Sequence, residues 1–216
     1  MAEKDQNGNS NSSRSVQKQM TRKKLLDATV RIIAEEGIAG VTLAKVARLT
    51  GLSQGICNFH FKTKKRLLLE AFRMVYAEHE SAWRRILSDE TQTPESRLQT
   101  LVTTLLTPPI ADPTKLAVWM AFWGVTPHRK TYLELCGKLD REYEAVVEGL
   151  IKALANGAET VNGMRPKAIA VTLTAMIDGF WINYLISQGA LPKEDAVNAC
   201  LNFLNGFFPS IPPVGS

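Results

Sequence analysis

Apolar residues recur at helical spacing along most of this chain. Thr21 is a fair N-cap, and Leu25, Ala28, Thr29, Ile32 and Ile33 after it form an i, i+3, i+4, i+7, i+8 stripe that Gly37 should close. Thr42 caps a second helix with Leu43, Val46 and Ala47 inward. Gly51 ends that helix, Leu52 plugs the turn and Ser53 caps a third. A fourth starts near Thr63 and runs to about Ser88, with Leu67, Leu68, Ala71, Val75 and Ala82 as inward positions. Helices then follow from Glu95 to Leu106, from Pro113 to about Val125, from Thr131 to Ala155, from Pro166 to Gln188 and from Lys193 to Phe207. Pro108-Pro109, Pro127 and Asn156-Gly157 act as the breaks. No alternating strand pattern and no internal repeat interrupts them. The pattern predicts an all-α chain of about nine helices, a small three-helix domain followed by a larger helical one.

Two short helices joined through Gly51-Leu52-Ser53 fit a helix-turn-helix. The second of them, Gln54 to His60, carries polar and aromatic residues that a core cannot fully use. In a major groove Gln54 and Asn58, at i and i+4, would meet base edges, where either can pair with adenine through two hydrogen bonds. Ile56 and Phe59 would press on thymine methyls, and His60 would reach a phosphate or a base. Cys57 and Phe61 point back to the core. Lys62, Lys64 and Lys65 follow, beside free backbone N–H groups at a helix start, and are read as phosphate contacts. Arg22 and Thr42, at two other helix starts, are read the same way.

Charge sharpens this picture. Residues 1–66 hold 13 Lys and Arg against 5 Asp and Glu, whereas the remaining 150 hold 13 against 16. A basic head on a mildly acidic body points to a polyanion partner. Residues 1–20 are rich in Ser, Asn and Gln and read as a disordered tail. The expected organisation is a tail over 1–20, a helix-turn-helix domain over 21–66, a larger helical domain over 67–208 and a frayed end over 209–216.

The stretch "TRKKLLDATVRIIAEEGIAGVTLAKVARLTGLSQGICNFHFKTKKRLLLEAF" resembles the DNA-binding domain of the TetR family of bacterial regulators. The likeness runs over residues 21–72 without gaps and takes in Thr42, Val46-Ala47, Gly51, Ser53-x-Gly55, Phe61 and Lys64. It places Ser53 and Gly55 among the residues at the DNA. The family commonly has Leu-Tyr where this chain has Cys57-Asn58, and that Tyr meets a phosphate; the shorter Asn58 points to a base contact instead. The resemblance implies a homodimer that reads a palindromic operator in double-stranded DNA and represses by blocking a promoter.

Half of the sixteen aromatic residues lie between Trp119 and Tyr184. Trp119, Phe122 and Trp123 share one helix face; Phe180, Trp181 and Tyr184 repeat the density later. Either these pack an aromatic core, or they line a ligand pocket whose rings would hold a quaternary ammonium. Asp178, inside the same apolar helix, needs a partner, which could be an arginine, a second chain or a cationic ligand. "KLAVWMAFWG", "MIDGFWINYL" and "ALPKEDAVNACLNFL" are similar to the BetI-type, choline-responsive repressors. That resemblance implies choline or another quaternary ammonium as effector, with Trp119, Phe122, Trp123, Asp178, Trp181 and Tyr184 as the expected ligand residues. A TetR-type regulator with an unrelated hydrophobic effector is the alternative, and a helical enzyme a further one.

Helix 166–188 is apolar on nearly all sides, more than one core contact needs. Together with 193–207 it is expected to form a four-helix dimer interface with a second copy. Its stretch from Ala168 to Ile186 contains Thr172, Thr174, Asp178 and Asn183, which fits a buried helix and not a membrane span. Cys57, Cys136 and Cys200 have no paired spacing, and no signal peptide opens the chain, so a cytoplasmic setting is expected. His60, His79 and His128 have no metal-ligand spacing. With no phosphate-binding Gly-rich loop and no nucleophile beside a base, the sequence predicts no cofactor and no catalytic residue.

Overall fold

The structure, a computed structural model, describes residues 6–124, 126–187 and 191–211; the side chains of 6–12, 126–129, 131–133 and 135 fall outside that description. The described residues form nine helices and no strand beyond an isolated bridge between Val161 and Met164. The chain divides into two units, Met1–Met74 and Val75–Ser216. That division falls inside a helix, at 74/75 and not at 66/67.

The first unit holds α1 (Gln6–Gly40), α2 (Leu43–Thr50), α3 (Gln54–Phe61) and the start of α4 (Lys64–Leu87). Its core is Leu25, Leu26, Ile32, Ile33, Val46, Cys57, Phe61, Leu67 and Phe72. Buried Thr29 donates its hydroxyl to the Leu25 carbonyl at 2.8 Å, so its polar atom needs no other partner. Gly37, at φ 71°, kinks the end of α1 in a conformation that L side chains rarely adopt. Thr42 accepts the Lys45 N–H and Ser53 accepts the Ile56 N–H, the two caps that the sequence signals. Gly51, at φ 69°, terminates α2, while Leu52 N–H donates to the Ala47 carbonyl at 3.0 Å.

Two ends differ from expectation. α1 begins at Gln6, well inside the stretch 1–20 that reads as a tail; residues 6–20 contain no proline to break a helix that α1 propagates from its packed end. Residues 1–5 lie outside the described residues. The helix expected from Thr131 begins at Thr126, because Pro127 sits in a first turn, where its missing N–H costs nothing. The expected ends at Val125 and Gln188, and the tail beyond Ile211, also lie outside the described residues.

The second unit holds the rest of α4, then α5 (Pro94–Leu106), α6 (Pro113–Trp123), α7 (Thr126–Ala155), α8 (Pro166–Ile186) and α9 (Lys193–Asn205). α5 packs against α7, α8 and α9, and buries Leu98, Leu101, Val102, Leu105 and Leu106. α8 is long and apolar enough to cross a bilayer. Its inner face, Ile169, Leu173, Ile177, Trp181 and Tyr184, is nevertheless buried within this bundle. Its outer face keeps Val171, Ile182 and Ile186 exposed, Ile186 at 73%.

Candidate nucleic-acid interface and ligand cavity

α3 separates its residues by side. Cys57 and Phe61 are fully buried; Gln54, Gly55, Ile56, Asn58 and Phe59 are exposed, and Phe59 is 69% exposed. An exposed phenyl ring on a two-turn helix serves no core. The Lys18 ammonium lies 5.4 Å from the Phe59 ring centre, and the Arg22 guanidinium 5.6 Å from that of Phe61. His60 is half-buried and packs edge-on against Phe59 at 5.4 Å. Burial first, then the charges of Lys18 and Arg22, push its imidazole below the usual histidine value.

A Cβ on Gly55 would meet only the Ser53 hydroxyl, at 3.7 Å. Neither packing nor backbone angle demands a glycine there, so its smoothness faces outward. Lys62 closes α3 at φ 57°, and its N–H donates to the Asn58 carbonyl. Thr63 caps α4 by accepting the Arg66 N–H. Lys64 donates to the Ala39 carbonyl at 3.2 Å, which ties the start of α4 to the end of α1. Arg22 pairs with Glu70. Gln54, Asn58 and Phe59 thus share one outward surface of the first unit, with Thr42, Lys62 and Lys64 at the neighbouring helix ends.

The second unit encloses a cavity of about 180 Å³. Its aromatic lining is Trp119 and Trp123 from α6, Trp181 from α8, Tyr143 from α7 and His79 from α4. Trp119 lies 5.7 Å from both Trp123 and Trp181, and His79 lies edge-on to Trp119, Trp181 and Tyr143 at 5.4–5.9 Å. Three carboxylates join these rings: Asp140 and Glu144 from α7, and Asp178 from α8. The Tyr76 hydroxyl donates to Asp140 at 2.8 Å.

The electrostatics follow from that crowding. Asp178 opens to solvent along one edge, yet it is hemmed in by the lining. That desolvation, then the charges of Asp140 and Glu144, raise its carboxyl to about 6. Burial pushes the His79 imidazole down to about 4, so it is neutral at physiological pH. Its Nδ1 is buried and makes no hydrogen bond among the described residues. Burial and the Asp178 charge push the Tyr143 phenol far above its ordinary value, which keeps it neutral as well. The cavity therefore combines negative charge, π faces and a neutral imidazole, and suits a compact cation.

One wall is fixed by the backbone. The last carbonyls of α5 have no helical partner, and the prolines that follow offer no N–H. The Trp181 indole N–H donates to the Leu105 carbonyl at 2.7 Å, and the Tyr184 hydroxyl to that of Leu106 at 3.4 Å.

Of the aromatic and acidic positions singled out in the sequence, Trp119, Trp123, Asp178 and Trp181 line the cavity. Phe122 is fully buried outside it, and Tyr184 turns to α5 with the Lys193 ammonium over its ring. Sequence reasoning missed His79, Asp140, Tyr143 and Glu144. One signal was present: Asp140 and Glu144 are like charges at i, i+4, a pairing that isolated helices disfavour. The described residues hold no cluster that could ligate a metal.

Comparison with known proteins agrees with this layout. Residues 25–71 match the model of the bacterial regulatory proteins of the tetR family, and residues 94–209 match that of the BetI-type transcriptional repressor C-terminal domain. The HTH-type transcriptional regulator BetI of Burkholderia mallei is 27% identical over 188 residues, 87% of this chain and 93% of that protein. A Saccharomonospora viridis protein described as a transcriptional regulator, solved in complex with choline, shares the fold with a TM-score of 0.68 at 22% identity, over 87% of this chain and 96% of that one. FadR of Bacillus subtilis, solved with stearoyl-CoA, does so with a TM-score of 0.68 at 15% identity, over 86% of this chain and 97% of that one. With both of its units matched, this chain belongs to the TetR family of transcriptional regulators and carries a BetI-type C-terminal domain.

Proposed function

We propose that the protein is a homodimeric repressor of a palindromic operator and is released by a small quaternary ammonium, with choline the leading effector. The observation that carries the effector is the meeting of three tryptophans with three carboxylates around one small cavity. A quaternary ammonium offers no N–H to a carboxylate. It gains from ring faces and from diffuse negative charge, which this lining supplies. A ligand hydroxyl would find the unpartnered His79 Nδ1. The family resemblance and the choline bound to the Saccharomonospora viridis protein support the same reading. The stearoyl-CoA bound to FadR shows that the fold also takes acyl ligands, but this cavity's volume and its carboxylates favour a compact cation.

On the DNA side, Gln54 and Asn58 are assigned to base edges, Ile56 and Phe59 to apolar contact, and Thr42, Lys62 and Lys64 to phosphates. Gly55 lets the phosphate backbone come close. For the dimer, the exposed outer face of α8, with Val171, Ile182 and Ile186, is assigned to a second copy together with α9. Electrophoretic shifts on duplex fragments from upstream of its own coding sequence test the whole. A salt-dependent, sequence-selective shift relieved by millimolar choline is expected. A shift that choline leaves untouched would sink the effector, and no shift at all would sink the operator reading.

A further inference from the structure

We propose that the N-terminal part of α1, through Arg14 and Lys18, forms an additional phosphate-binding arm that extends the DNA surface beyond α3. The proposal rests on the DNA-binding reading above. Residues 13–20 are exposed on a continuous helix, and from Gln6 to Leu26 that helix carries no acidic residue. Arg14, Lys18 and Arg22 stand at i, i+4 and i+8, one row along one side, with successive steps of about 6 Å. Arg22 is already engaged by Glu70, and Lys23 by Asp27. Arg14 and Lys18 have no carboxylate partner among the described residues, so their charge is available to another molecule.

Position decides which molecule. Lys18 is held 5.4 Å over the exposed ring of Phe59 on α3, so the basic row borders the surface assigned to the groove. Lys18 and Arg22 also add to the burial that lowers the pKa of His60 on α3, as expected of positive charges set close to it. The exposed apolar pair Val16 and Met20 falls on the opposite side of these turns and does not interrupt the row. A cationic row continuous with a recognition helix meets the next phosphates along the same duplex.

The test compares the full chain with its Arg14→Ala/Lys18→Ala double variant on the upstream fragment and on a mixed-sequence duplex, from 50 to 200 mM salt. Loss of two phosphate contacts from each protomer of the proposed dimer, four in all, lowers the slope of log affinity against log salt by about 4, so the wild-type advantage shrinks roughly a hundredfold across that range. The loss should be equal on both duplexes, with thermal unfolding and choline-induced quenching of tryptophan fluorescence unchanged. An unaltered slope and affinity in a folded variant would overturn the arm while leaving the wild type's own shift intact. A changed preference between the duplexes would also overturn it, since phosphate contacts carry no sequence information. If the wild type itself binds neither duplex, the underlying DNA reading fails first and takes the arm with it.

Discussion

The α3 surface and the α6–α8 cavity both display aromatic rings that a core would normally hide, and they do so in opposite ways. On α3 a single phenyl ring stands out among polar neighbours, with cations behind it. In the cavity, rings from four helices face one another and carboxylates stand beside them. The first is an open surface bordered by positive charge, the second a recess lined by negative charge. One chain thus separates its two candidate sites by the sign of the charge around them as well as by position, as the charge counts of its two parts foreshadow.

The contrast can be broken most strongly at Trp181. Trp181→Ala should cost about 3–5 kcal/mol in denaturant unfolding, the range for deleting a buried tryptophan, and it also strands the Leu105 carbonyl. Next comes Asn58→Ala. It should lose about 1–3 kcal/mol of discrimination at one operator position, whereas Lys64→Ala should weaken all sequences alike. A changed preference in Lys64→Ala would undo that assignment of phosphate and base contacts.

Asp178 sharpens the comparison through pH. Its folded carboxyl titrates near 6, above the ordinary value of 3.8. The fold therefore favours the protonated acid, and stability without ligand should fall as pH rises from about 4 to about 6. A bound cation favours the ionised form, so choline affinity should rise over the upper part of that window. Asp178→Asn should raise the melting temperature at pH 7, lose that advantage near pH 4, and weaken choline binding. A choline affinity flat between pH 5 and 7 would count against the carboxylate's role. The smallest effect is expected at Gly55. Gly55→Ala should add roughly 0.5–1 kcal/mol of stability while reducing DNA affinity, and an unaffected affinity would show that the glycine gives no close approach.

The two regions also differ in how far the sequence exposes them. Thr42, Gly51 and Ser53 mark the helix-turn-helix because caps and left-handed turns are local requirements, each met within four residues. The cavity draws on His79, Trp119, Asp140, Tyr143 and Trp181, spread over a hundred residues. Helical periodicity assigns each to a face of its own helix but not to a partner helix. Phe122 shows the consequence. It stands in the same run as Trp119 and Trp123, yet it turns into the core while they turn to the cavity. Pro127 illustrates the other limit, since the same residue ends one helix or opens the next according to which turn it occupies.

Trp181 has a consequence for how such a pocket can change over generations. Its indole nitrogen finishes the end of α5, so losing the residue would disturb the scaffold whatever the ligand. His79, whose Nδ1 makes no hydrogen bond among the described residues, can be exchanged with less damage to the frame. A change of effector should therefore enter from the α4 side, while the α8 wall stays a tryptophan. A pocket rebuilt on this frame would keep that ring and change what faces it.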